Sequence, residues 1–153
     1  MGYEMELVDL QEQQTAIVRG HVPFLDIADF LAGAFGEVAE AVAQQDAGPA
    51  GPPFAQFAMR SDGFDIEAGF PTSTPVEPTG RVIAGALPGG RTARTLHRGP
   101  YSEVAAAYDA LAAWVTDDGY RPSGAPWECY LDEPDVAEPR TMVYLPCVAI
   151  RHG

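Results

Sequence analysis

The chain contains no lysine. Its nine basic residues are all arginine and face 22 Asp and Glu, for a net charge of −13. A Schiff-base lysine and a phosphate-loop lysine are therefore excluded. Binding of nucleic acid through its phosphates needs a basic face, so direct contact with DNA or RNA is not expected. Cysteine is scarce: Cys129 and Cys147 have neither a CxxC nor a zinc spacing and read as small, reduced, apolar residues. The three histidines, His21, His97 and His152, form no HExxH or cluster, so no metal site and no cofactor are expected. Ser61, Ser73, Ser102 and Ser123 lack a GxSxG setting, which leaves no nucleophile motif. His97, beside Gly99-Pro100, has no partner group for a triad and reads as a hydrogen bonder at a strand end. No apolar run approaches the ~18–20 residues of a membrane span. The first residues, Met1 to Glu6, have neither the basic region nor the apolar stretch of a signal peptide. A soluble cytoplasmic protein without membrane contact is expected.

What is present suits one globular domain. Of the 153 residues 46% are hydrophobic and 20% charged, ordinary values for a packed core. The acidic excess serves solubility, and it also concentrates cations near the surface. The sequence then repeats itself. Thr15-Ala16 matches Thr92-Ala93 and Pro23-Phe24 matches Pro100-Tyr101, both 77 residues on. Farther along, the spacing shortens to 73 between Pro53-Phe54-Ala55-Gln56-Phe57 and Pro126-Trp127-Glu128-Cys129-Tyr130. It is 75 between Gly69-Phe70-Pro71 and Tyr144-Leu145-Pro146. The shifts fall in Gly/Pro loops, where insertions are tolerated.

Each half reads as β-β-α-β-β. Strands are predicted at 5–10 and 15–19, then at 82–87 and 92–97. The link Pro88-Gly89-Gly90 has hairpin punctuation, whereas Gln11 to Gln14 does not. Ile27, Phe30, Leu31, Ala34, Phe35, Val38 and Val42 recur at helical spacing, as do Val104, Tyr108, Leu111, Trp114 and Val115. Ser102 is a candidate N-cap and Gly119 a candidate stop. Loops 46–53 and 121–126 follow the helices. Strands 54–60, 64–70, 127–132 and 140–149 complete the halves, which span about 1–72 and 80–153 and are linked by the Pro-rich run 71–80. The expected fold is α+β: an eight-stranded antiparallel curved sheet, two helices on one face, and a ligand cleft between the halves.

Alternation along the strands distributes the side chains between two faces. Apolarity assigns Trp127, Cys129 and Leu131 to the helix side, leaving Glu128 and Tyr130 opposite. With Phe57, Met59, Met142 and Tyr144 these make an aromatic surface around one carboxylate. Such a surface suits flat hydrophobic cations, which gain dispersion and cation–π attraction from the rings and sign selectivity from the acid. Aromatics also close ordinary cores, so a second core with Glu128 facing water is the alternative.

The run Thr95-Leu96-His97-Arg98-Gly99-Pro100-Tyr101-Ser102-Glu103-Val104 resembles the "h-x-G-x-Y-x-x-L" segment of the GyrI-like small-molecule-binding family, the AraC-type effector-binding domains. Ala106, Tyr108, Leu111 and Trp114 follow on the helix, Glu128-Cys129-Tyr130 fits "E-x-Y", and Thr141 to Cys147 resembles "T-E-I-x-x-P-V". Asp65 to Pro71 resembles "D-x-E-x-G-x-P" in the first half. The resemblance spans nearly the whole chain and implies a single duplicated domain over 1–153. It implies multidrug-type binding of hydrophobic, often cationic compounds, with Glu128 as the anionic contact and Tyr101, Tyr130, Tyr144, Met142, Phe57 and Met59 around it. Many members sit behind a DNA-binding helix-turn-helix; this chain has no residues left for one and is similar to the stand-alone members. A subgroup of those is similar to hydrolases that open the cyclopropane of DNA-alkylating natural products in an aromatic cage. In that reading Glu128 activates water, and Tyr130 or Tyr144 polarises the substrate. Met142 stands where the family usually has Glu, which takes away one candidate acid or base. A third reading is an interaction module whose aromatic face binds a protein partner.

Overall fold

A computed structural model describes residues 3–132 and 136–150. The described residues form nine strands and two helices: β1 (Met5–Leu10), β2 (Gln13–Pro23), α1 (Ile27–Gln44), β3 (Phe54–Arg60), β4 (Gly63–Pro71), β5 (Ile83–Leu87), β6 (Gly90–Arg98), α2 (Val104–Asp117), β7 (Tyr120–Pro122), β8 (Trp127–Tyr130) and β9 (Arg140–Ala149). The fold class is α+β. None of the described helices is long and apolar enough to cross a membrane.

The chain divides into two compact units. One holds residues 1–11 and 89–153; the other holds 12–88. In the first unit the strand order is β1-β6-β9-β8, with β7 also on β9. In the second it is β5-β2-β4-β3. These are the same order element for element, and the pairings within each unit are antiparallel. The duplication inferred from the 77- and 73-residue spacings is thus a duplication of topology.

The first strand of each repeat, however, does not pair with its own second strand. β1 pairs with β6, from Met5↔Thr95 to Leu10↔Gly90, and β5 pairs with β2, from Gln13↔Leu87 to Ile17↔Ile83. The hairpin read at Pro88-Gly89-Gly90 is therefore a crossing from one unit to the other. The physical reason is local. Two-residue hairpins favour turns whose first central residue has positive φ, and proline is fixed near −65°.

Each helix lies on one face of its unit. α2 buries Ala107, Leu111 and Val115 against Ala93, Val143, Leu145 and Cys147. Full burial of a side chain the size of Leu111 contributes ~1.5–3 kcal/mol. α1 packs on β2 and β4 through Ala34, Val38, Ala41 and Val42. Close approach is needed there: a Cβ at Gly20 would meet the Phe30 ring at 2.7 Å.

Both helices start the same way. Pro23 and Pro100 precede short 3₁₀ turns at Phe24–Asp26 and Tyr101–Glu103. Ser102 lies inside the second turn and is not the cap; Glu103 occupies that position without a side-chain capping bond. Gly119, with φ +83°, ends α2 as expected, its N–H donating to the Thr116 carbonyl. The loop predicted at 121–126 contains the ninth strand, β7, and β8 ends at Tyr130. Asp132 instead accepts hydrogen bonds from the Arg140 backbone and guanidinium.

Candidate functional site

The faces of β8 are fixed by its register on β9. Glu128 lies opposite Val143 and Tyr130 opposite Thr141, while Trp127 lies opposite Tyr144 and Cys129 opposite Met142. Directly opposed residues share a face. Val143 and Leu145 pack under α2, so Glu128 and Tyr130 are on the helix side. This reverses the expectation that Trp127 and Cys129 face the helix. Trp127 is instead 2% exposed on the other face, its ring stacked on Tyr144 at 5.1 Å and 10°.

The helix-side face of the first unit brings four phenols and one carboxyl into one neighbourhood. Tyr130 donates a hydrogen bond to Glu128 Oε1 at 2.9 Å. The Tyr101 ring, on the turn before α2, meets Tyr130 edge-on at 5.7 Å. Tyr108 comes from the second turn of α2 and brings its buried hydroxyl close to Glu128. Its pKa is raised by burial and then by the nearby Glu128 charge. His97 on β6 lies opposite Thr141. Its ring is 3% exposed and bonds Tyr3 Oη at 3.0 Å and the Pro100 carbonyl at 3.0 Å.

Glu128 is 6% exposed. Burial raises its pKa; the hydrogen bond from Tyr130, the Tyr108 hydroxyl and His97 pull it partly back. Among the described residues no arginine pairs with it. Arg94 is held by Glu6, Arg91 by Asp9 and Arg140 by Asp132. A buried carboxylate with no arginine beside it is costly. Phenols donate to it but bring no positive charge. The Tyr130 pKa is raised by burial and by Glu128, so that phenol stays a donor. Burial, followed by the Glu128 charge, pushes the Cys129 thiol up to about 12, which keeps it from acting as a nucleophile.

The predicted ligand contacts thus separate into three groups. Glu128, Tyr130 and Tyr101 are together. Met142 and Tyr144 lie on the opposite face of the same unit, with Trp127; Arg94, near the Tyr144 hydroxyl, shares that face. Tyr144 therefore does not share a face with Glu128. Phe57 and Met59 belong to the second unit, on the strand equivalent to β8. Phe57 contacts Phe64 at 5.5 Å and Phe24 contacts Phe64 at 5.4 Å. Met59 is 70% exposed and Leu25 97%. In the repeat, Phe24 corresponds to Tyr101, Phe57 to Tyr130 and Ala55 to Glu128, so the second unit carries a hydrocarbon version of the same constellation.

Two residues escaped sequence reasoning. Tyr108 reads as part of an apolar stripe, although its position one turn beyond Val104 already places it beside the strand it reaches. Tyr3 gives no signal of its own, because its contact with His97 depends on β1 crossing to β6. Among the described residues no three His, Cys, Asp or Glu gather as metal ligands, and His152 lies outside the described residues.

The family profile of the GyrI-like small molecule binding domain matches residues 3–148. No curated protein matches the chain. Among solved structures, the EcmrR C-terminal domain superposes with a TM-score of 0.80 at 23% identity, over 98% of this chain and 100% of that one. The chain spans 58% of EcmrR in its DNA complex. A hydrolase from Listeria innocua gives a TM-score of 0.71 at 15% identity, over 95% and 92% of the two chains. SAV2435 bound to tetraphenylphosphonium gives 0.57 at 11% identity, over 97% and 94%. At these identities the likeness is one of fold.

Proposed function

Since the chain belongs to the GyrI-like small molecule binding domain family, we propose that it binds hydrophobic, preferably cationic aromatic molecules at the Glu128 face of the first unit. The observation that carries this reading is a 6% exposed carboxyl ringed by phenols, with no arginine paired to it among the described residues. A ligand cation supplies the missing charge, and Tyr101 and Tyr130 offer ring area to a flat partner. Specificity is broad, because ring faces accept many shapes where directional hydrogen bonds do not. The tetraphenylphosphonium held by SAV2435 has the chemistry this site would select. The cytoplasm is the compartment this role fits, and the net charge of −13 argues against the chain itself holding nucleic acid.

Glu128→Gln tests the proposal. It keeps the shape and the hydrogen-bonding capacity but removes the charge. Affinity for a cationic dye such as rhodamine 6G should fall by ~1–3 kcal/mol, while a neutral analogue of similar shape should be little affected. Equal losses for both, measured by titration calorimetry, would make Glu128 a structural residue only.

One observation favours a second reading, hydrolysis of strained electrophilic aromatics such as cyclopropane-containing alkylating agents. Burial raises the Glu128 pKa toward that of a group able to take and give a proton. Tyr130, hydrogen-bonded to the same carboxyl, is then the polarising phenol. Product analysis in the same titrations separates the two readings: an electrophilic ligand recovered unchanged removes the hydrolase.

A further inference from the structure

Each unit has an edge strand, and the two edges differ in charge. Among the described residues β1 pairs with β6 alone and β5 with β2 alone, so each has one side without a ladder partner. An edge of this kind is a template for a strand of another chain unless charge guards it. β1 is guarded: it carries Glu6 and Asp9, ion-paired with Arg94 and Arg91. β5, Ile83-Ala84-Gly85-Ala86-Leu87, carries no charge, and neither does the whole run 82–90. Its exposed side chains, Ala84 and Ala86, are too small to block an approaching strand. β5 is also nearly palindromic about Gly85. Antiparallel self-pairing about that residue sets Ile83 against Leu87 of a second copy, Ala84 against its Ala86, and Gly85 against its Gly85.

We propose that β5 pairs antiparallel with β5 of a second copy of this chain, forming a reversible dimer about a twofold axis at Gly85. Charge complementarity selects this occupant. No like charges meet in the β5 register, whereas the same self-pairing of β1 sets Glu6 against Asp9 of the second copy, which is repulsive. Directly opposed residues share a face, so Ile83 and Leu87 of both copies line one face and the alanines the other. The pairing stops at each end where Val82 meets Pro88, which has no N–H to donate. A ladder this short buries far less than the roughly 1,200–2,000 Å² of a stable complex. Each copy also carries a net charge of −13. The dimer is therefore weak, and it strengthens as salt screens the repulsion between copies. Glu128 belongs to the other unit, and the pairing does not depend on what binds there.

Sedimentation velocity over a concentration series tests this. The parent should be monomeric at about 10 μM and partly dimeric at about 1 mM, with a dissociation constant that falls as NaCl rises from about 0.05 to about 0.5 M. Two double variants then place like charges in the register. Ala84→Lys with Ala86→Lys sets lysine against lysine twice, and Ala84→Glu with Ala86→Glu does the same with carboxylates. Each should weaken the dimer by about fivefold or more. The lysine pair should do so although it lowers the net charge, which separates the local contact from the overall repulsion. Ala84→Lys with Ala86→Glu sets opposite charges against each other at both contacts and leaves the net charge unchanged. It should associate within about twofold of the parent or more tightly. Unchanged melting temperatures show that the variants fold, and should one like-charge pair not fold, the other decides. A parent that stays monomeric at about 1 mM in about 0.5 M NaCl overturns the proposal. So does a dimer that both like-charge pairs leave intact, since another surface then holds it. An opposite-charge pair as weak as the like-charge pairs overturns the antiparallel register and the proposal with it.

Discussion

At the scale of single residues, Glu128 shows what the site costs. Its folded pKa lies above its unfolded value, chiefly because burial disfavours the charge. Such a group contributes stability that is fully present below the unfolded pKa and is lost as pH rises through the folded one. Glu128→Gln should therefore match the parent near pH 4 and exceed it at pH 8, by ~1–3 kcal/mol, or several degrees in Tm for a chain of this size. Melting curves at the two pH values check this. A variant less stable than the parent at pH 8 would mean that the phenol bonds outweigh the desolvation. The same sign governs binding: cation affinity should strengthen as pH rises through the folded pKa, since the proton and the ligand charge compete for one carboxyl. Carboxylates whose pKa values are lowered by neighbours, such as Asp132 beside Arg140 and Asp65 beside His21, destabilise parent and variant alike in acid and cancel in the comparison.

At the scale of elements, most of the architecture was legible because it is periodic. The helical stripes ending at Val42 and Val115 lie within α1 and α2, and β1, β3 and β9 have the predicted bounds. The faces of β8 were not legible. Its two alternating sets, Trp127-Cys129 and Glu128-Tyr130, differ in polarity in the opposite sense to their burial logic. The register on β9 decides, and a one-residue slip exchanges the faces. The match of Glu128 to Ala55 and of Tyr130 to Phe57 was the available signal, since the first repeat places small and apolar residues on that face. The repeat also exposes a local weakness. Asp46 ends α1 where Gly119 ends α2, and it holds φ +53°. A non-glycine residue in that conformation costs about 1 kcal/mol. Asp46→Gly should accordingly raise stability by ~0.5–1 kcal/mol, read as a shift in the urea midpoint at unchanged slope. A lower midpoint would show that the Asp46 side chain contributes more than its backbone costs.

At the scale of the molecule, the exchange of first strands ties the two repeats together. β1 belongs with β6, some 85 positions downstream, and β5 with β2, some 70 positions upstream. Contacts this distant in sequence are costly in loop entropy and slow to form. They also explain why Tyr3 reaches His97 at all: a local hairpin would have turned β1 toward β2 and left the His97 Nδ1 without that hydroxyl. The exchange makes a direct prediction. Val8 and Thr92 are register partners, so Val8→Cys with Thr92→Cys should oxidise to an intramolecular disulfide in a background carrying Cys129→Ala and Cys147→Ala. The loop it closes has about 84 residues, and bonds of that span stabilise by ~2–4 kcal/mol when the native geometry accepts them. Val8→Cys with Thr15→Cys, the partners in a local hairpin, should stay reduced under the same mild oxidant. Thiol counting and a mobility shift on non-reducing gels distinguish the two proteins. Rapid closure of the 8–15 pair with none of the 8–92 pair would return β1 to its own repeat and, with it, remove Tyr3 from the site.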